Sequence, residues 1–124
     1  MTEFTKEEHT KLFNRAYELE ESGDLAGALA MRKELASKEP TNEYAILALG
    51  RSYNLLKNTE QAEKEFRKSI FVHPFSELSS LQLFHFLIGT GNTDAAFEEI
   101  KRFQSISHSE DYTEIIESIN KSDK

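Results

Sequence analysis

The residues able to carry acid–base or metal chemistry in this 124-residue chain are four histidines, His9, His73, His85 and His108, and 22 acidic side chains. Their spacing favours neither use. No two histidines stand four apart, the spacing that puts two imidazoles on one helical face in a metal-binding HExxH pattern. There is no cysteine, so disulfides, thiolate metal sites and a thiol nucleophile are excluded. GTGN at 89–92 has no phosphate-loop lysine after it and reads as a turn. The carboxylates alternate with bases on polar faces, without an enclosing apolar cleft to raise a pKa. Arg51 and His85 are the only pair that a shared groove could collect, too few groups to build a nucleophile, a base and an oxyanion partner. No catalytic residue, metal ligand or cofactor is expected, and the chain reads as a non-enzyme.

Composition narrows the class further. With 38% hydrophobic and 30% charged residues, and with nine Phe and only two Pro in the chain, the sequence can build one helical core and suits no turn-rich sandwich. The net charge of −7 is uneven. Residues 1–42 hold nine acids and six bases, 43–76 four and five, and 77–124 nine and four. No basic stripe exists to neutralise phosphates, so nucleic acid is not an expected ligand. The N-terminal MTEFTKEEHTKLF is charged throughout and lacks a signal-peptide apolar core. No run is long enough to span a membrane. A soluble, cytoplasmic protein is expected.

The elements that must position any site come from a repeat. Ala28, Ala62 and Ala96 are spaced by 34, as are Gly23, Lys57 and Gly91, and Leu19, Tyr53 and Leu87. Pro40 and Pro74 share the spacing, and the next step falls on His108. A fixed period of this size signals stacked helix pairs. In EYAILALGRSYNLL the apolar residues fall at 46, 49, 53 and 56, which is helical periodicity. Breaks at SGD, KNT and TGN supply the caps Asp24, Asn58 or Thr59, and Asn92. Thr5 with Glu8 reads as a capping box, and Ser76 as a further cap. Helices are expected over 5–21, 25–38, 43–56, 59–72, 77–89, 93–106 and 110–121. The last carries an apolar stripe at Tyr112, Ile115, Ile116 and Ile119, suited to covering the exposed end of the array.

On these residues the chain resembles the tetratricopeptide repeat family. The resemblance implies an all-α fold, an antiparallel helix-pair solenoid of about seven helices forming one domain over 1–124. Its units are 9–42, 43–76 and 77–110, followed by a capping helix at 110–121. The middle unit matches through Ile46, Leu49, Gly50, Tyr53, Ala62, Phe66 and Pro74. The first departs at Arg15 and Arg32, where apolar residues are usual, which suits a terminal unit with one side in water. Phe84 replaces a small residue in the third and should push its helices slightly apart.

The resemblance also implies where a partner binds: the concave face lined by the first helix of each pair. The corresponding residues are Phe13 and Tyr17, then Tyr44, Leu47 and Arg51, then Leu78, Leu81 and His85. That lining is apolar, so the expected ligand is a protein or peptide with an apolar or amphipathic segment, anchored by Arg51 on a carboxylate or carbonyl. The family's carboxylate clamp for chaperone tails is not matched, because its positions hold Phe13, Tyr17, Ala48, Leu78 and Gln82. Apolar grooves in three-unit arrays resemble those of bacterial chaperones for secreted translocator proteins. A homo-oligomerising subunit, two apolar faces covering each other as a dimer, is the other reading.

Overall fold

The structure, a computed structural model, describes residues 4–122. Among them are seven helices: α1 (Lys6–Glu21), α2 (Leu25–Lys38), α3 (Glu43–Leu55), α4 (Thr59–Val72), α5 (Glu77–Gly89), α6 (Thr93–Gln104) and α7 (Glu110–Ser122). The expected bounds hold within two residues. The largest difference is at α6, where the amides of Ile106 and Ser107 both turn back onto the Phe103 carbonyl and close the helix early.

The helix starts follow from local chemistry. Thr5 Oγ1 accepts from the Glu8 amide while the Glu8 carboxylate accepts from the Thr5 amide, so two donors that the first turn leaves open are satisfied reciprocally. Asp24, Asn58 and Ser76 accept from the amides of Gly27, Gln61 and Ser79. Asn42 caps α3 in the same way through Ala45. Asn92 occupies the cap position of α6 without a side-chain cap bond.

The recurring Gly23, Lys57 and Gly91 have one cause. Each sits at positive φ, +91°, +65° and +82°, closing the first helix of its pair in the left-handed conformation. The next residue donates back across the turn, Asp24 to Leu19, Asn58 to Tyr53 and Asn92 to Leu87, at 2.8–2.9 Å. These are Schellman closures, which satisfy the last helical carbonyls. Lys57 holds there a backbone shape that costs a side-chain-bearing residue about 1–2 kcal/mol.

Chain contacts divide the molecule into two units, one up to His73 and one from Pro74 onward. The first contains α1–α4, with a core of Ala16, Ala28, Leu35, Ala45, Ile46, Ala62 and Phe66. Gly50 is in that core because a Cβ there would stand 3.1 Å from the Phe66 ring; the missing side chain lets α3 and α4 close on the aromatic. The second unit contains α5–α7 around Leu83, Phe84, Leu87, Ala96, Ile100, Phe103 and Tyr112. Phe84 is buried, its ring edge-on to Phe97 at 6.3 Å and to Tyr112 at 5.6 Å. Of the α7 stripe, Tyr112 is fully buried, Ile115 is half-buried, and Ile116 and Ile119 remain exposed.

Candidate functional site

In the first unit the expected lining residues lie on α1 and α3. Phe13 is half-buried, its ring stacked on His9 at 5.9 Å and edge-on to Tyr17 at 5.2 Å. Tyr17 is exposed and Tyr44 is 60% exposed. Leu47 departs from the expectation: it is 8% exposed and belongs to the core. Leu47 is flanked by buried Ile46 and Ala48, in a run from Ala45 to Gly50 that is buried all round. The middle helix of a unit is covered on more sides than one apolar stripe, so alternate apolar positions need not face a ligand.

Arg51 is half exposed and already holds a carboxylate. Its Nη2 donates to Glu20 Oε2 at 2.9 Å and its Nε to Glu20 Oε1 at 3.1 Å. Glu20 Oε1 also accepts from Arg32 Nη1 at 2.7 Å, and the same Arg32 nitrogen lies 2.8 Å from Ser52 Oγ. Arg32 is 1% exposed and its guanidinium lies over the Tyr17 ring, 4.8 Å from the centroid. This overturns the sequence reading of Arg32 as a water-facing departure. It is a buried cation, with Glu20 as counter-ion and an aromatic face beside it. Arg15, by contrast, is exposed and pairs only with Glu18, at 3.2 Å. The hydrogen bond from Arg51, partly opposed by burial, and the neighbouring Arg32 hold the Glu20 carboxyl below its ordinary pKa; Glu20 in turn raises that of Arg51.

In the second unit Leu78, His85 and Ile88 are exposed on α5 and Leu81 is half-buried. His85 borders a shallow depression of about 310 Å³ with Asp111, Glu114, Ile115 and Ser118 of α7. Behind it runs a buried polar chain. Arg102 grips Glu99 with two hydrogen bonds, 2.8 and 2.7 Å, and reaches the Pro74 carbonyl at 2.9 Å. Ser80 donates to Glu99 at 2.6 Å, which spends its only proton, so the Tyr112 hydroxyl must donate to Ser80 Oγ at 2.7 Å. Burial is the main cause that pushes the Tyr112 phenol up to about 12.

Neither polar network was anticipated from the sequence. Arg32, 34 residues before Phe66, and Ser80, 34 residues after Ile46, were the visible signals: a polar residue at a core position of a repeat requires a buried partner. Phe71 and Phe75, 87% and 70% exposed, also lie outside the expected lining. The histidines are dispersed. His9 pairs with Glu39, His73 is half-buried with Nε2–H donating to the Thr41 carbonyl at 2.7 Å, and His108 pairs with Glu110 at 2.8 Å. The His73 bond ties the end of α4 to the turn before α3. Among the described residues no group of three His, Asp or Glu could hold a metal ion. No helix there is long and apolar enough to cross a membrane.

Sequence and structure comparisons agree with this architecture. The tetratricopeptide repeat profile matches residues 19–83, more than half of the chain. No curated protein matches in sequence. Among solved structures, the type III secretion translocator chaperone SycD of Yersinia enterocolitica superposes with a TM-score of 0.75 at 14% identity, over 97% of this chain and 90% of that one. A chain of the CopN–Scc3 complex gives 0.74 at 16%, over 97% and 71%. The first repeat domain of RPAP3 (Spaghetti), bound to the HSP90 peptide SRMEEVD, gives 0.70 at 12%, over 92% and 94%. At these identities the likeness establishes the fold alone. The chain belongs to the tetratricopeptide repeat family, with three repeats and a C-terminal capping helix.

Proposed function

We propose that the chain is a non-catalytic, cytoplasmic protein-interaction module, one domain over 1–124, whose first helices hold a segment of a partner protein. The repeats are 9–42, 43–76 and 77–110, and each unit offers its own face. The observation that supports this most is Tyr44, 60% exposed on the same helix as Arg51. An aromatic side chain left in water beside a fixed charge, with no need of either in the core, suits an interface. Phe13, Tyr17 and Arg51 complete that face. Leu78, Leu81 and His85 form the corresponding one on α5. Leu47 supports the face from behind as core.

The partner is an apolar or amphipathic protein segment. SycD, similar in fold, has been solved with a peptide of the translocator YopD, which is consistent with a segment-holding role. The test compares wild type with a Tyr44→Asp, Leu78→Asp double variant in affinity capture from the source cells, quantified by mass spectrometry. A partner held by wild type and lost by the variant, with melting temperature unchanged, is expected. A capture profile identical for the two proteins rules the faces out.

A second copy of the chain is the competing occupant. It is favoured by Ile116 and Ile119, which α7 leaves exposed. The solution molar mass separates the two readings.

A further inference from the structure

The outward side of α4, in the first unit, carries a feature that the fold does not need. Ala62, Phe66 and Ser69 turn one side of this helix into the core. Lys64, Arg67, Lys68 and Phe71 stand at i, i+3, i+4 and i+7 on the side away from it, and all four are exposed. Phe71, which closes the row, is 87% exposed. One repeat earlier and one repeat later the same position holds Ser37 and Ser105, both exposed, so the repeat asks for no aromatic there. Of the segments 1–42, 43–76 and 77–124, only the middle one has more bases than acids, five against four, and three of the five lie in this row. Arg67 donates from Nε to Glu63 at 2.7 Å. Lys64 and Lys68 meet no carboxylate among the described residues. A shallow depression of about 270 Å³ opens beside Glu60, Glu63, Lys64 and Arg67.

We infer that this side of α4 is a second docking surface, separate from the first-helix faces, and that its occupant is an acidic segment of a partner protein with an aliphatic or aromatic residue among its carboxylates. The apolar residue packs on Phe71, and the carboxylates meet Lys64, Arg67 and Lys68. Covering Phe71 removes a large apolar area from water, and a phenylalanine has little rotamer freedom to lose. The bases around it form a charged rim, which favours an acidic segment and repels a basic one. Charge complementarity and the single aromatic together select this occupant. A lipid surface needs an apolar face several residues wide, and Phe71 is the one exposed large apolar residue of α4. A phosphate backbone needs a longer run of bases, and here Glu60 and Glu63 interrupt it.

The test uses the full chain carrying Tyr44→Asp and Leu78→Asp, which closes the first-helix faces and makes the result independent of them. A phage-displayed library of random dodecapeptides is selected on this protein and on the same protein with Phe71→Ala added. Peptides with Asp or Glu flanking a large apolar residue should be enriched on the first. Phe71→Ala should weaken the strongest of them about tenfold, the scale of a hot-spot aromatic. Lys64→Gln with Lys68→Gln should weaken it about threefold and flatten its salt dependence, as for exposed charges. All three side chains are exposed, so melting temperatures should not change. Replacing the acids of the peptide by their amides should reproduce the effect of the lysine changes without altering the protein. No enrichment, a consensus without acids, or binding that Phe71→Ala leaves intact overturns the inference. So does sedimentation with phosphatidylserine vesicles that Phe71→Ala abolishes, since the occupant would then be a lipid surface. A dimer that Phe71→Ala converts to monomer overturns it too, by giving the face to a second copy.

Discussion

Glu20 of α1 and Arg51 of α3 stand 31 residues apart in sequence and meet at 2.9 Å, with Arg32 of α2 closing on the same carboxylate from the buried side at 2.7 Å. One acid thereby ties three consecutive helices at the place where the candidate face meets the core.

The two partners of this tie should differ in cost. Glu20→Gln leaves the buried Arg32 charge without its counter-ion, a loss of about 3–5 kcal/mol. Arg32→Met leaves Glu20 paired with Arg51 and removes a buried charge altogether, so its cost is about 1–2 kcal/mol. Urea titrations of the two variants check the order. The pH limb follows from the same pair. Glu20 has a folded pKa below its ordinary 4.5, so its stabilisation is present above that value and is lost as pH falls through the lower folded one. Wild type should therefore lose stability more steeply than Glu20→Gln on acidification below about 4.5.

Tyr112 gives the opposite limb. Its folded pKa is raised from 10.0 to about 12. The stability it contributes is complete below pH 10 and falls as pH rises toward 12, because the unfolded chain ionises first. Each pH unit in that window removes about 1.4 kcal/mol. Tyr112→Phe should lose this dependence while paying for the hydrogen bond to Ser80 at neutral pH, about 1 kcal/mol. Thermal melts from pH 8 to 11.5 show both effects.

Lys57 occupies a turn position that Gly23 and Gly91 fill in the other repeats, at the same sign of φ. Lys57→Gly should relieve the left-handed strain, and the greater freedom of the unfolded glycine offsets part of the gain. A net stabilisation of about 0.5–1 kcal/mol is expected, measured by chemical denaturation; a loss of stability would mean that the lysine side chain holds the turn.

Leu47 and Tyr44, one helical turn apart, separate core from face. Leu47→Asp buries a charge without a partner and should unfold the protein or cost more than 3 kcal/mol. Tyr44→Asp should change stability by about 0.5 kcal/mol or less. Circular dichroism melts of the two single variants are sufficient.

The helices were legible because three signals agreed: the 34-residue period, the caps at Thr5, Asp24, Asn58 and Ser76, and the left-handed turn residues. Each is local chemistry, visible in one stretch of chain. The polar networks were not legible, because Glu20–Arg32–Arg51 and Glu99–Arg102–Ser80–Tyr112 join residues from different helices. The repeat pattern marks Arg32 and Ser80 as unusual without naming what they meet. The exposure of the lining residues was only half legible for the same reason. Tyr44 and Leu47 share one periodic stripe, yet the crowding around the middle helix buries the leucine and leaves the tyrosine in water.

The central claim is that the apolar faces of the first helices are open to a different protein in the free chain. Its most direct test is the molar mass in solution by light scattering over a wide concentration range. A constant 14.2 kDa is the expected result. A stable dimer that Tyr44→Asp with Leu78→Asp converts to monomer would contradict it, since those faces would then be occupied by a second copy.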